Sequence, residues 1–437
     1  MKTIFQKLRF NILLLIFIFT LGSFISQAQD RKESFDKSFS LSASGNFDFS
    51  CYDTDLKVNT WNKDEVKLVG EIIIKGGDKE DQDKLIEVFK NPEITQSSNS
   101  LKIVTNMVSN TIIIGPISTI TLINGSKIKI DKYSAKYTLW VPESIAFTLK
   151  SKYNDIEIAP LKGKINFDLY DADLTMAGYG SNAIFTMKYS NASIGNGGDA
   201  MFNIYDSDIE VVEMKNAKIT SKYSGIVIGA VNTLDFDSYD DDIKIEKINS
   251  LNSTAKYSDY KIKGDLTNCI IDLYDSDIEA ANISQLIFSG KYSEIKAGNV
   301  NQFHIKDIYD SDVKMAEVGE FSCDESKYDY FAFSSIKSSV KMPNVYDSDL
   351  VIGKADPSLK LFEGNFKYCS ISMPLDPALS FSLEFETTYG EVKYPKERFT
   401  KNITSIKENS KHQFSGSTGE NAVCKIKFTA YDSNVSF

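Results

Sequence analysis

Over residues 151–375 the apolar positions recur in a fixed order about every 17 residues. Aligned on Ile156, Leu174, Ile209, Ile226, Ile243, Ile278, Ile295 and Val313, the residue two further on is again apolar: Ile158, Met176, Val211, Ile228, Ile245, Ala280, Ala297 and Met315. The residue between them is mostly charged or hydroxylic, as in Glu157, Thr175, Glu210, Lys244 and Glu279. A period of two marks a β-strand with one buried face. A second apolar run precedes each strand (Phe202 and Ile204; Leu234 and Phe236; Ile271 and Leu273), and a third apolar position follows it (Met214, Val231, Ile248, Ile283). Three apolar sides in 17–18 residues describe one roughly triangular coil. A single coil cannot bury its own faces, but stacked coils close a continuous core.

Two short words alternate along this repeat. Lys-Tyr occurs at Lys152, Lys188, Lys222, Lys256, Lys291, Lys327 and Lys367; Tyr-Asp-Ser-Asp or a close variant occurs at Tyr170, Tyr205, Tyr239, Tyr274, Tyr309 and Tyr346. Just inside each word lies a small residue (Ala172, Ser190, Ser207, Ser224, Ser258, Ser276), and the apolar parity flips across it, which predicts a tight corner at that column. Stacked strands lie ~4.8 Å apart, so equivalent residues form ladders. One such column reads Tyr189, Asp206, Tyr223, Asp240, Tyr257, Asp275, Tyr292, Asp310, Tyr328. Interleaved tyrosines space the carboxylates at ~9.6 Å, near the Debye length in physiological salt. Lysine alternating with tyrosine in the next column allows cation–π contacts. A slip by one coil would set like on like, which pins the register.

The expected fold is therefore all-β: a parallel β-helix, or β-solenoid, right-handed by the crossover rule. Caps must cover its open edges. Residues 29–150 read as a β-rich N-terminal cap continuous with the solenoid, with strands near 39–49, 56–60 and 66–74 and a short amphipathic helix near 81–91. Residues 151–375 are the coils, and 376–437 the C-terminal end, whose last word, Tyr431-Asp432-Ser433, echoes the repeat.

Residues 1–28 read as a secretory signal peptide: Lys2, Lys7 and Arg9, an apolar run over 12–21, then Ser26-Gln27-Ala28. Its removal takes the formal charge from −11 to −14. That balance argues against nucleic acid, which is held through basic patches. No later stretch is apolar and long enough to span a bilayer as a helix. The five cysteines (Cys51, Cys269, Cys323, Cys369, Cys424) are scattered and lack a CxxC pair, so buried single thiols are expected rather than disulfides or zinc. With His304 and His412 the only histidines, no Ser/His/Asp or Cys/His constellation can be drawn, and no cofactor is expected.

The chain resembles the bacterial exported "putative adhesin" domain family of unknown function, whose members form single-stranded parallel β-helices. The resemblance rests on Leu56-Lys57-Val58-Asn59-Thr60-Trp61 with the Asp64-Glu65-Val66 turn, on Tyr137 to Pro142 leading into Lys152-Tyr153-Asn154-Asp155-Ile156, and on Thr388-Tyr389-Gly390-Glu391-Val392. Where the family carries Gly-Asp-Ile in its repeat word, this chain carries Ser-Asp-Ile. The resemblance implies a fold and an exported location, and no catalytic residues.

Aspartate pairs such as Asp206/Asp208 could offer oxygens to Ca²⁺, but that ion takes six or more, and a glycine-rich calcium repeat is absent. Some β-helix enzymes cut polysaccharides with paired carboxylates. Here the carboxylates recur in every coil, whereas a catalytic site should break the repeat. The candidate binding face is the ladder of Tyr189, Tyr223, Tyr257, Tyr292 and Tyr328 with Asp206, Asp240, Asp275 and Asp310, because tyrosine is rigid and amphipathic. The expected role is a non-enzymatic cell-envelope or secreted binding protein, adhesin-like, with glycans or envelope proteins as partners. The alternatives are a structural spacer or assembly component, and then a polysaccharide-acting enzyme.

Overall fold

The computed structural model describes residues 30–437 except 115, 116 and 181; the signal-peptide reading lies outside the described residues. Strand accounts for 70% and helix for 4% of the described residues, so the all-β expectation holds, and the pairing is that of a β-solenoid. The chain forms two compact units, one ending at Ala159 and one beginning at Pro160.

In the first unit, strands Asn46–Tyr52 and Asp55–Trp61 lie parallel to Ala146–Ile158, with Tyr52 opposite Lys152 and Leu56 opposite Ile156. Tyr52-Asp53-Thr54-Asp55 is thus a repeat word, one coil from Lys152-Tyr153. It lies inside the expected N-terminal cap and not among the expected coils, because most of a hundred intervening residues interrupt the period. Phe47 and Phe147 stack across this pair at 5.3 Å. The interrupting chain makes an antiparallel set in which Glu65–Lys75 pairs with Arg31–Ser40 on one side and Lys132–Pro142 on the other. Helix Lys79–Lys90 starts where Asp78 accepts a hydrogen bond from the Asp81 amide, 2.8 Å away. It ends at Asn91, which precedes a proline and so avoids the helical region. Its apolar face carries Leu85, Ile86, Val88 and Phe89; Phe89 packs on Phe35 and Tyr137 with ring centroids 5.0 and 5.7 Å away.

In the second unit the predicted alignment is the observed register. Ile209, Ile226 and Ile243 are successive partners, as are Ile219 and Phe236, and Met214, Val231 and Ile248. All are buried. Tyr205 is opposite Lys222, and Lys222 opposite Tyr239, so the two tyrosines stand two coils apart in one row. Later coils lengthen. Register shifts fall between Phe288 and Gly290, Val318 and Glu320, and Met342 and Val345, where bulges absorb the extra residues.

The end of this unit departs from simple order. Cys424–Tyr431 threads between Leu361–Lys367 and Phe381–Thr388, parallel to both. Asn434–Ser436 likewise pairs with Ser370–Ser372 and Val392–Lys393. Lys411–Ser417 then covers Phe381–Thr388 antiparallel, and Lys401–Glu408 forms the outer edge. Lys401, Lys407 and Glu408 on that edge discourage further strand pairing.

Candidate binding wall

Every coil turns at a residue with left-handed backbone: Tyr189 (φ 55°), Asp206 (48°), Tyr223 (59°), Asp240 (57°), and so on to Tyr368 (61°), Asp432 (46°) and Tyr389 (60°). The corner lies one residue before the small column at which the apolar parity predicts it. The left-handed residue is the hinge, and the small residue is its buried anchor. Aspartate visits this conformation readily; for a bulky residue it costs ~1–2 kcal/mol. The turn makes two consecutive side chains point outward, which is why the apolar parity flips.

The anchor column solves a hydrogen-bond problem. At the corner a backbone N–H faces the interior and must find an acceptor. The amide of Ser190 donates to Ser207 Oγ (2.9 Å), that of Ser207 to Ser224 Oγ (3.2 Å), and that of Ser276 to Ser293 Oγ (3.2 Å). Each serine Oγ in turn donates to the carbonyl two residues before it, as Ser207 does to Tyr205 and Ser276 to Tyr274, both at 2.9 Å. Thr54 does the same with Tyr52 (3.0 Å).

Two aspartates break this column. Asp241 and Asp329 are 4% and 3% exposed. Asp241 accepts from Ser224 N, Ser238 Oγ, Ser221 Oγ and Tyr239 N at 2.8–3.1 Å. Asp329 accepts from Ser326 Oγ and Lys327 N at 2.7 Å and from Ser311 N at 3.0 Å. Burial pushes the Asp329 carboxyl up to about 6 against the pull of those donors, and raises Asp241 as well. The sequence carries a signal: each aspartate comes with a serine three residues earlier, Ser238 and Ser326, where most other coils are apolar, as at Met187, Ile204, Leu273 and Ile308. Both lie in words that otherwise match the repeat, which hides them from the period.

Outside the corner stands the ladder. Tyrosines from Lys-Tyr words and from Tyr-Asp words meet edge to face in one unbroken zigzag. Tyr189, Tyr205, Tyr223, Tyr239 and Tyr257 follow one another with centroids 5.4–5.7 Å apart and ring planes at 78–86°. The zigzag continues through Tyr292 and Tyr328 to Tyr346, Tyr368, Tyr431 and Tyr389. Each contact is worth ~0.5–1.5 kcal/mol beyond area burial, enough to offset much of the corner strain. The predicted Tyr189, Tyr223, Tyr257, Tyr292 and Tyr328 are brought together, but through the tyrosines of the other word, which the sequence reading had paired with lysine. Lysine contacts do occur: Lys222 lies over Tyr239 at 5.6 Å, and Lys327 over Tyr309, Tyr328 and Tyr346 at 4.8–5.9 Å. The ladder residues stay open to solvent, with Tyr189, Tyr223, Tyr257 and Tyr292 45–47% exposed.

The zigzag is framed by charge. In the row just before the hinge, Lys222, Lys256, Lys291 and Lys327 alternate with tyrosine. In the hinge row, Asp206, Asp240, Asp275 and Asp310 alternate with tyrosine. Beyond the hinge runs a third, acidic row in which Asp242, Asp259, Asp277, Glu294 and Asp312 are successive strand partners. Burial and its neighbours Asp277 and Asp242 raise the Asp259 carboxyl. Lys296 and Lys314 pair with Glu294 at one end. Gly225 interrupts this row; a side chain there would press on Asp208, whose carboxylate accepts the Gly225 N–H at 2.8 Å. The notch opens a groove of about 1030 Å³ between Tyr223, Asp240 and Tyr257. A second groove, about 710 Å³, lies beside Tyr309, Lys327 and Tyr346, where bulged Pro343 and Asn344 widen the wall.

Other reactive groups lie elsewhere. All five cysteines are free and buried, and burial pushes the thiols of Cys51, Cys269 and Cys424 up to about 12. His304 bonds Ser322 (2.9 Å) and faces Asp324 (3.4 Å); His412 packs on Phe385 at 4.9 Å. Among the described residues no group of three His, Cys, Asp or Glu is arranged to hold a metal ion. No helix among them is long and apolar enough to cross a membrane.

No protein-family model matches the chain, and no curated protein matches it in sequence. Among solved structures it is similar to a "putative cell adhesion protein" from Clostridium sporogenes (9% identity, TM-score 0.16, covering 93% of this chain and 98% of that one). It is also similar to a "putative adhesin" from Parabacteroides merdae (13%, 0.27, 65% and 96%) and to a "putative lipid binding protein" from Parabacteroides distasonis (12%, 0.23, 65% and 97%). The first two carry the kind of name that the sequence resemblance gave. Likenesses this distant carry no argument about ligand or partner.

Proposed function

We propose that this chain is a non-enzymatic, exported cell-envelope or secreted binding protein, adhesin-like, whose binding surface is the tyrosine wall of the second unit. The observation that carries the reading is the ladder itself. Half-exposed rings are held in fixed orientation along the stack, framed by lysine and aspartate rows, at the cost of left-handed backbone in every coil. Rigid, amphipathic rings lose little entropy on binding. A surface built only for solubility would not need them.

The non-enzymatic part rests on where the repeat breaks. The exceptional carboxylates, Asp241 and Asp329, are buried and engaged by serine hydroxyls and backbone amides. They complete the interior rather than face a substrate.

A structural spacer is the second reading, favoured by the serine column, which ties coil to coil. A screen of the purified protein against glycans and envelope proteins separates the two. With a ligand in hand, Tyr257→Ala and Tyr292→Ala are expected to weaken binding about tenfold or more without unfolding the protein. An unchanged affinity removes the wall from the account, and a spacer finds no ligand. Hydrolysis or lyase activity abolished by a single Asp→Asn change would establish the enzyme instead.

A further inference from the structure

The framing rows carry a second message about the same wall. We propose that its partner is a second copy of this chain, the two solenoids lying side by side and parallel, wall to wall, about a two-fold axis that runs along the stacking direction. The inference rests on the reading of the wall as a binding surface and adds the partner.

Charge and symmetry select this pairing. Lys222, Lys256 and Lys291 form a basic row on one side of the ring zigzag, and Asp240, Asp275 and Asp310 an acidic row on the other. Within each row the charges recur every second coil, ~9.6 Å apart. A two-fold axis along the stack exchanges left and right, so the basic row of one copy meets the acidic row of its partner. Each ammonium then lies over a partner tyrosine and between two partner carboxylates, combining cation–π and ionic attraction. A two-fold axis across the stack keeps left on left. Lysines would then face lysines and aspartates aspartates, which is repulsive. The pattern selects parallel pairing and rejects antiparallel pairing, as matched and mismatched charge rows do at other interfaces.

The area suffices. A tyrosine side chain can cover ~150–250 Å². With rings a little under half exposed, each coil offers about 80 Å². The coils from Tyr189 to Tyr431 therefore reach the ~800 Å² per partner of a stable interface. A glycan would have to supply both charge rows at the coil spacing; a second copy carries them by construction.

Sedimentation velocity on the mature protein tests this. A dimer in the micromolar range, weakened by salt, is expected. Lys222→Glu with Lys256→Glu and Lys291→Glu should weaken it about tenfold or more. A row-exchanged protein (the same lysines to Asp, with Asp240→Lys, Asp275→Lys and Asp310→Lys) should dimerise with itself, and with wild type it should pair only antiparallel, the sense in which its rows match. Fluorescent labels at Ser410→Cys, an exposed position, should lie close together in a wild-type dimer and transfer energy strongly; labels held at opposite ends of the pair would overturn the parallel arrangement. A wild-type monomer throughout the micromolar range would overturn the pairing altogether. A monomer that still binds a glycan through Tyr257 would sink this inference alone and leave the binding reading standing.

Discussion

Lys367 and Tyr431 are partners on adjacent parallel strands, although more than sixty residues of chain separate them. The strand that carries Tyr431 also pairs with Phe381–Thr388, so Ile426 lies between Phe362 and Leu383 in the core. Ile426→Ala should cost ~2–5 kcal/mol and should act locally, since coils contact only their neighbours. Hydrogen exchange is expected to quicken over 361–372 and 381–393 and to stay unchanged near Ile209–Ile245. Uniform acceleration would show that the end is not an independent unit.

The serine column makes a different prediction. Ser276 accepts from the Ser258 amide at 3.0 Å. In Ser276→Ala that buried N–H has no acceptor, and the protein should lose ~1–3 kcal/mol in urea unfolding. A loss within error would mean that water replaces the hydroxyl.

At the hinge, the usual ranking of small residues should invert. Tyr257→Ala and Tyr257→Gly both remove the contacts to Tyr239 and Tyr274, at 5.4 and 5.9 Å. Alanine keeps the strain of φ 57°, and glycine relieves it. Glycine should be the more stable variant by about 1 kcal/mol, whereas in an ordinary strand it is the worse choice by ~0.5–1 kcal/mol.

Asp329 gives the protein a pH dependence of definite sign. Its carboxyl, raised to about 6 by burial, holds a proton more tightly folded than unfolded. Its contribution is therefore most favourable below about pH 4 and is lost as pH rises through about 6. From pH 4 to 7 the wild type should lose on the order of 2 kcal/mol relative to Asp329→Ser, which restores the residue of the repeat. Parallel curves for the two proteins from pH 4 to 7 would contradict the burial.

Much of this molecule was legible in its sequence because a solenoid is nearly one-dimensional. Once Ile209, Ile226 and Ile243 align, strand, register and core follow together. The face of the candidate site was legible for the same reason, as Tyr223 and Asp240 fall in one column. Three things escaped. Tyr52 as a repeat word, and the place of the legible Tyr431 word between Tyr368 and Tyr389, depend on coils far away in the chain, and periodicity cannot see across such gaps. The union of both tyrosine sets into one zigzag needed the left-handed hinge, which swings Tyr223 back toward Tyr205. Asp241 and Asp329 pass for further members of acidic words, because the serines that mark them, Ser238 and Ser326, have counterparts at Ser151 and Ser221.

The alternation of the two words also sets how long such a wall can be. Tyr368 and Tyr389 come from the same kind of word, and stacked directly they would break the zigzag; the coil of Tyr431 and Asp432, slipped between them, restores the odd–even order. Growth or shortening of the wall is therefore allowed only in steps of two coils. A lineage that gained or lost a single coil would have to borrow one from elsewhere in the chain to mend the parity.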